Sequence, residues 1–120
     1  MKIALTIEQM KTLIKLGVDV SNAQFSYVCG GLKWLDRACR ETTEMDYIPA
    51  LTLTDLLEIL PKEPLADYCL QITNWRNDIW YVGYTMQDED PLIMYNCSEL
   101  IDGLYKLVIW CIEHGYIETE

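Results

Sequence analysis

Three stretches of the chain pass from an apolar residue into a helical pattern in the same way: LTIEQM at 5–10, LTLTDL at 51–56 and YNCSEL at 95–100. Each places a Thr or Asn after an apolar residue, Gln, Asp or Glu three positions later, and a second apolar residue directly after that. This is the pattern of a capping box inside a hydrophobic staple, in which the cap side chain takes a first-turn N–H and the later side chain reaches back to the N–H of the cap. Thr6 is predicted to cap with Gln9 between Leu5 and Met10, Thr52 with Asp55 between Leu51 and Leu56, and Asn96 with Glu99 between Tyr95 and Leu100. The first helix is predicted to reach Leu16 and stop at Gly17. The second is short and stops before Pro61, because a residue preceding proline avoids the helical region. The third is expected to stop at Gly115, with His114 in the last helical position and Tyr116 folded back over Cys111.

Between Pro64 and Asn96 the apolar period shortens to alternation. DYCLQIT, IWYVGYTM and PLIMYN read as three antiparallel strands, joined by loops at NWRND and QDED. QFSYVC at 24–29 reads as a further strand, with glycines at 30–31 to turn the chain. The stretch LKWLDRACRETTEMD at 32–46 supports two readings: a helix with Leu32, Leu35 and Cys39 on one side, or a strand returning Trp34 beside the residues before the turn. A hairpin running into a loop is favoured. No repeat, low-complexity stretch or linker divides the chain, so residues 1–120 are expected to form one domain. The order of elements predicts an α+β fold, an antiparallel sheet of four or five strands with three helices packed on it.

In IWYVGYTM, Trp80, Val82 and Tyr84 fall on one face and Ile79, Tyr81 and Gly83 on the other. Neither face is polar, so either helices cover both or one is a contact surface. The last helix has a polar stripe of Glu99, Asp102, Lys106 and Glu113, yet Ile109 and Trp110 lie beside it. The contact surface predicted from these patterns joins Ile109 and Trp110 to the strand residues Trp80 and Tyr84.

Composition narrows the chemistry. A net charge of −10 lacks the basic footprint that direct nucleic-acid binding requires, and it disfavours an anionic membrane surface. It suits a basic protein partner, and also an acidic imitation of nucleic acid. The longest apolar run, 107–112, has six residues, against about 20 for a membrane span. Glu8 and Lys11 break any apolar leader, so a cytoplasmic location is expected. The five cysteines, Cys29, Cys39, Cys69, Cys97 and Cys111, are widely spaced with no C-x-x-C pair, which reads as reduced thiols. Cys97, in what would be the first turn of the last helix, is the candidate nucleophile, since unpaired backbone N–H groups stabilise a thiolate there.

Cys111 and the single histidine, His114, supply too few ligands for a zinc site. Asp88, Glu89 and Asp90 lack the loop of an EF-hand and read as a solvated turn. Lys33, Arg37 and Arg40, with Trp34 among them, form the one basic cluster, read as pairing with Asp36, Glu41 and Glu44. No phosphate-binding loop, nucleophile elbow or metalloprotease motif occurs, and no catalytic, cofactor or metal residue is assigned.

The segments YIPALTLTDLLEILPKEP, YCLQIT, IWYVGYT and LIDGLYKLVIWCIEHGYI span about half the chain. With their P-x-L-T-x-x-D-L-L-x-x-L-P helix and L-x-x-x-L-Y…W-C-I-x-x-G-Y-I ending, they resemble small accessory proteins of phages and mobile elements from gut anaerobic bacteria. The resemblance implies an accessory role and nothing catalytic. The expectation is a non-enzymatic protein that binds a protein partner, basic partners included, through an apolar and aromatic surface with an acidic surround, and that closes the same surface as a homodimer when free. The alternatives are a small enzyme using Cys97 or its carboxylates, and an acidic nucleic-acid mimic.

Overall fold

The computed structural model describes residues 3–21, 23, 25–28, 31–34, 47–75 and 78–119. The described elements are, in chain order, α1 (Ile7–Lys15), β1 (Phe25–Val28), β2 (Gly31–Trp34), β3 (Tyr47–Ala50), α2 (Leu53–Ile59), β4 (Cys69–Trp75), β5 (Ile79–Thr85), β6 (Ile93–Cys97) and α3 (Leu100–Glu113). The class is α+β. The strands form two three-stranded antiparallel sheets, ordered β2-β1-β3 and β4-β5-β6, in place of one sheet of four or five. The extra strand is β3, YIPA, which carries Pro49. Proline has no N–H for a ladder and is tolerated here because β3 is an edge strand, with Ser26 opposite Pro49. The same proline hides the strand in the sequence.

The first two helices begin as their sequences dictate. Gln9 N–H donates to Thr6 Oγ1 at 3.2 Å while the Thr6 N–H donates to Gln9 Oε1 at 2.9 Å. Thr52 and Asp55 repeat the exchange at 3.3 and 2.9 Å. The apolar partners of both staples, Leu5 with Met10 and Leu51 with Leu56, are buried. α1 ends as expected, with the Val18 N–H reaching back to the Leu13 carbonyl and Gly17 at φ 87°. α2 ends at Leu60, which is extended ahead of Pro61.

α3 starts later than its sequence suggests. Asn96 and Cys97 remain in β6, opposite Tyr81 and Trp80. The N-cap is Glu99, and no side chain caps the helix. Sheet pairing outcompetes the local capping signal, because each residue kept in the ladder satisfies backbone groups and packs a side chain. The far end follows expectation in its backbone: His114 is the C-cap, Gly115 has φ 78°, and the Tyr116 N–H donates to the Cys111 carbonyl at 2.8 Å. The Tyr116 ring stacks against Trp110 and packs on the core cluster that includes Cys111.

One hydrophobic cluster joins these parts. Leu5, Met10 and Leu13 from the N-terminal segment, Leu51, Leu56 and Leu60 around α2, and Val82 and Tyr84 of β5 meet Leu104, Leu107 and Val108 of α3. α3 crosses β5 and β6 at very short range through Gly103. A Cβ there would run into Cys97 Sγ and come within 2.9 Å of Val82 Cγ2. Gln9, already the partner of the α1 cap, donates through Nε2 to Asp102 Oδ1 at 3.0 Å and ties α1 to α3. Among the described residues, no helix is long and apolar enough to cross a membrane.

For residues 32–46, the hairpin reading holds as far as the structure describes it: β2 pairs with β1, with Trp34 opposite Phe25. The continuation at 35–46, including Arg37, Arg40 and Cys39, lies outside the described residues, as does Cys29.

Candidate protein-contact surface

Helix α3 covers the face of the C-terminal sheet that carries Val82, Tyr84 and Cys97. The alternation of side chains along a strand then assigns the opposite face. On β4 it presents Cys69, Gln71, Thr73 and Trp75, all exposed. On β5 it presents Ile79, Tyr81 and Thr85, with Gly83 between, and on β6 Met94 and Asn96. Register brings these together: Trp75 lies opposite Ile79, Thr73 opposite Tyr81, and Tyr81 opposite Asn96. Trp75 is 54% exposed and Ile79 38%, both large apolar groups held in water.

In a chain that is 23% charged, no residue of β4, β5 or β6 carries a charge. A solvated antiparallel face ordinarily presents polar and charged side chains, and natural sheets use such charges to prevent unwanted pairing. The polar members of this face also bond to one another. Thr85 Oγ1 donates to Gln71 Oε1, and Gln71 Nε2 donates to Thr73 Oγ1 at 3.3 Å. Part of the desolvation cost of covering these groups is thereby already offset.

Charge sits around the face instead. Asp78 borders the turn after β4, Asp88, Glu89 and Asp90 form the turn after β5, and Asp67 precedes β4; all five are exposed. Asp67 and Asp88 hold positive φ, 70° and 62°, which aspartate tolerates in tight turns. Arg76 precedes Asp78 in the sequence and offsets its charge, so the arrangement is a neutral, partly aromatic plate with its acidic charge gathered at one end, that of Asp67, Asp88, Glu89 and Asp90.

The residues selected from sequence lie elsewhere. Tyr84 is completely buried, so it presents nothing to a partner. Its Oη donates to the Pro61 carbonyl at 2.8 Å and accepts from Cys111 Sγ at 3.6 Å, and burial raises its pKa far above the ordinary phenol value. Trp80, Ile109 and Trp110 are half-buried against the core. Trp110 stacks with His114 at 4.3 Å and with Tyr116 at 5.5 Å between ring centroids, which occupies much of the surface its position suggested. Alternation along β5 had separated the two faces correctly. The pattern did not show that the face with Trp80 and Tyr84 is the one α3 covers, which buries Tyr84 and leaves Trp80, Ile109 and Trp110 partly exposed; the absence of charge from all three strands was a signal left unused.

The reactive candidates do not converge. Cys97 ends a strand and does not lie in a helical turn. Its pKa is raised by burial, against a smaller lowering influence of the Gly103 N–H, so the thiol stays protonated. Cys111 is buried and its thiol pKa is likewise pushed up by burial. His114 is exposed at the helix end, with Nδ1 2.9 Å from the Trp110 carbonyl, and makes no pair with Cys111. Among the described residues, no group of three or more His, Cys, Asp or Glu side chains could hold a metal ion. A groove of about 510 Å³ beside β4 is lined by Leu57, Lys62, Glu63, Cys69, Leu70 and Ile72. Its cation is already used, with Lys62 Nζ donating to the Leu57 carbonyl at 3.1 Å.

Known protein families, curated proteins and solved structures give no match to this chain.

Proposed function

We propose that this chain is a non-enzymatic accessory protein that binds another protein through the outer face of the β4–β5–β6 sheet. The observation that carries this reading is an exposed sheet face with Trp75, Ile79 and Tyr81 on it and no charge. Faces of this kind are costly to leave in water and mark interaction sites. An exposed tryptophan beside an aliphatic and a tyrosine is the composition from which binding hot spots are built. The acidic turn of Asp88, Glu89 and Asp90, with Asp67 beside it at one end of the face, and the net charge of −10 favour a basic partner, accelerating its approach. The resemblance to phage and mobile-element proteins suits such a role, including occupation of a host nucleic-acid-binding protein.

The test is capture of partners by tagged protein from a host lysate at two salt concentrations, with Trp75→Ala run in parallel. The expected result is a basic protein held in stoichiometric amount by the wild type, weakened by salt and lost from Trp75→Ala. Identical capture by the two proteins would remove this face from the binding site.

A further inference from the structure

We infer that, in the absence of its partner, the outer face of β4–β5–β6 closes against the same face of a second copy of this chain. The inference rests on the reading of that face as a contact surface and names its occupant in the free protein.

The argument is electrostatic. Each chain carries a net charge of −10, so most pairings of two copies bring carboxylates together at a cost. This face is the exception. It has no charge to bury or to repel, and the acids bordering it lie in turns at the ends of the strands. A surface meeting itself across a two-fold axis must be self-complementary. Neutral residues meet that condition, and the mutual hydrogen bonds of Gln71, Thr73 and Thr85 leave fewer polar groups in need of water. Two sheets packed in this manner sit about 10 Å apart with Trp75, Ile79, Tyr81 and Met94 of each copy between them.

The size of the face sets the strength. Three strands spaced about 4.8 Å apart, with up to seven residues rising about 3.4 Å each, give a plate of roughly 14 by 24 Å. That is smaller than the roughly 800 Å² per partner of a standard stable interface. The dimer is therefore weak and exchanging, and a heterologous partner with added charge attraction displaces it.

Salt separates the two occupants. Screening weakens attraction to a basic partner but relieves repulsion between two acidic copies, so self-association strengthens as salt rises. The experiment is sedimentation of purified full-length protein across a concentration series at low and high salt, for the wild type and for Thr73→Glu. Thr73 is exposed halfway along the edge strand β4, so the variant puts a carboxylate into the neutral face of each copy without disturbing the core. The expected result is a monomer–dimer equilibrium tightened by salt, and a dissociation constant raised at least about tenfold in Thr73→Glu. A wild-type monomer throughout overturns the inference, as does a dimer indifferent to Thr73→Glu. If such a monomer still captures a protein that Trp75→Ala loses, the self-association fails alone and the binding function stands.

Discussion

Tyr84 shows how one side chain can mislead at the residue scale. Its aromatic type and its alternation with Val82 placed it on a face, but only packing reveals that the face is roofed by α3. Once roofed, its hydroxyl must find partners, and it finds the Pro61 carbonyl and the Cys111 thiol. Tyr84→Phe is expected to cost about 1 kcal/mol, read as a lowered urea midpoint, because the part-buried Pro61 carbonyl loses its donor. An unchanged midpoint would place water at that carbonyl. Gly103 makes a second residue-scale case. In sequence it is a helix-weakening glycine, which alanine would improve by about 1 kcal/mol. In the fold its missing Cβ is what admits Cys97 and Val82. Gly103→Ala is therefore expected to destabilise, by roughly 1–3 kcal/mol from overpacking, and a stabilised variant would contradict the close approach of α3 to the sheet.

At the scale of elements, capping chemistry was legible where the chain was free to obey it. Thr52 lies two residues past β3, and its single bridge to Ala4 does not extend through Thr6 or into a ladder, so the local hydrogen bonds decide where α1 and α2 begin. Asn96 has the same type of partner three residues on, yet it is held in β6 by its pairing with Tyr81, a contact of long sequence separation that local pattern cannot encode. The two cases give opposite expectations. Thr6→Ala should cost about 1 kcal/mol by loss of the cap, whereas Asn96→Ala should leave the helicity and stability of α3 nearly unchanged. Circular dichroism with chemical denaturation of both variants reads the difference; equal losses would return Asn96 to the cap. β3 was missed for a related reason. Its proline argues against a strand in any local reading, and only its place at a sheet edge makes it acceptable.

At the scale of the whole molecule, the three strands of the C-terminal sheet and their alternation were readable, and so was the division of β5 into two faces. Which face α3 would cover was not, because that depends on the crossing at Gly103 and not on a local period. The same burial has a consequence for pH. Cys97, Cys111, Tyr84 and Tyr95 all hold their protons more tightly in the folded chain, chiefly through burial, with Glu113 adding to the effect at Tyr95. The unfolded chain releases them from about pH 8.5 for thiols and about pH 10 for phenols. Stability from these groups is thus complete below about pH 8.5 and falls as pH rises beyond it, since the unfolded state then binds fewer protons than the folded one. Urea midpoints measured from neutral to strongly alkaline pH should decline over that range; a flat profile would contradict the burial of these groups.

The central claim is that partners meet this protein on the outer sheet face and not on the edge of α3. The most direct measurement compares partner capture by Trp75→Ala and Ile109→Ala, each first shown to be folded by circular dichroism. The account expects affinity to fall by at least about tenfold in Trp75→Ala, the loss of an aromatic anchor, and to stay near the wild-type value in Ile109→Ala. Loss in Ile109→Ala with full binding by Trp75→Ala would place the contact on α3 and contradict the account.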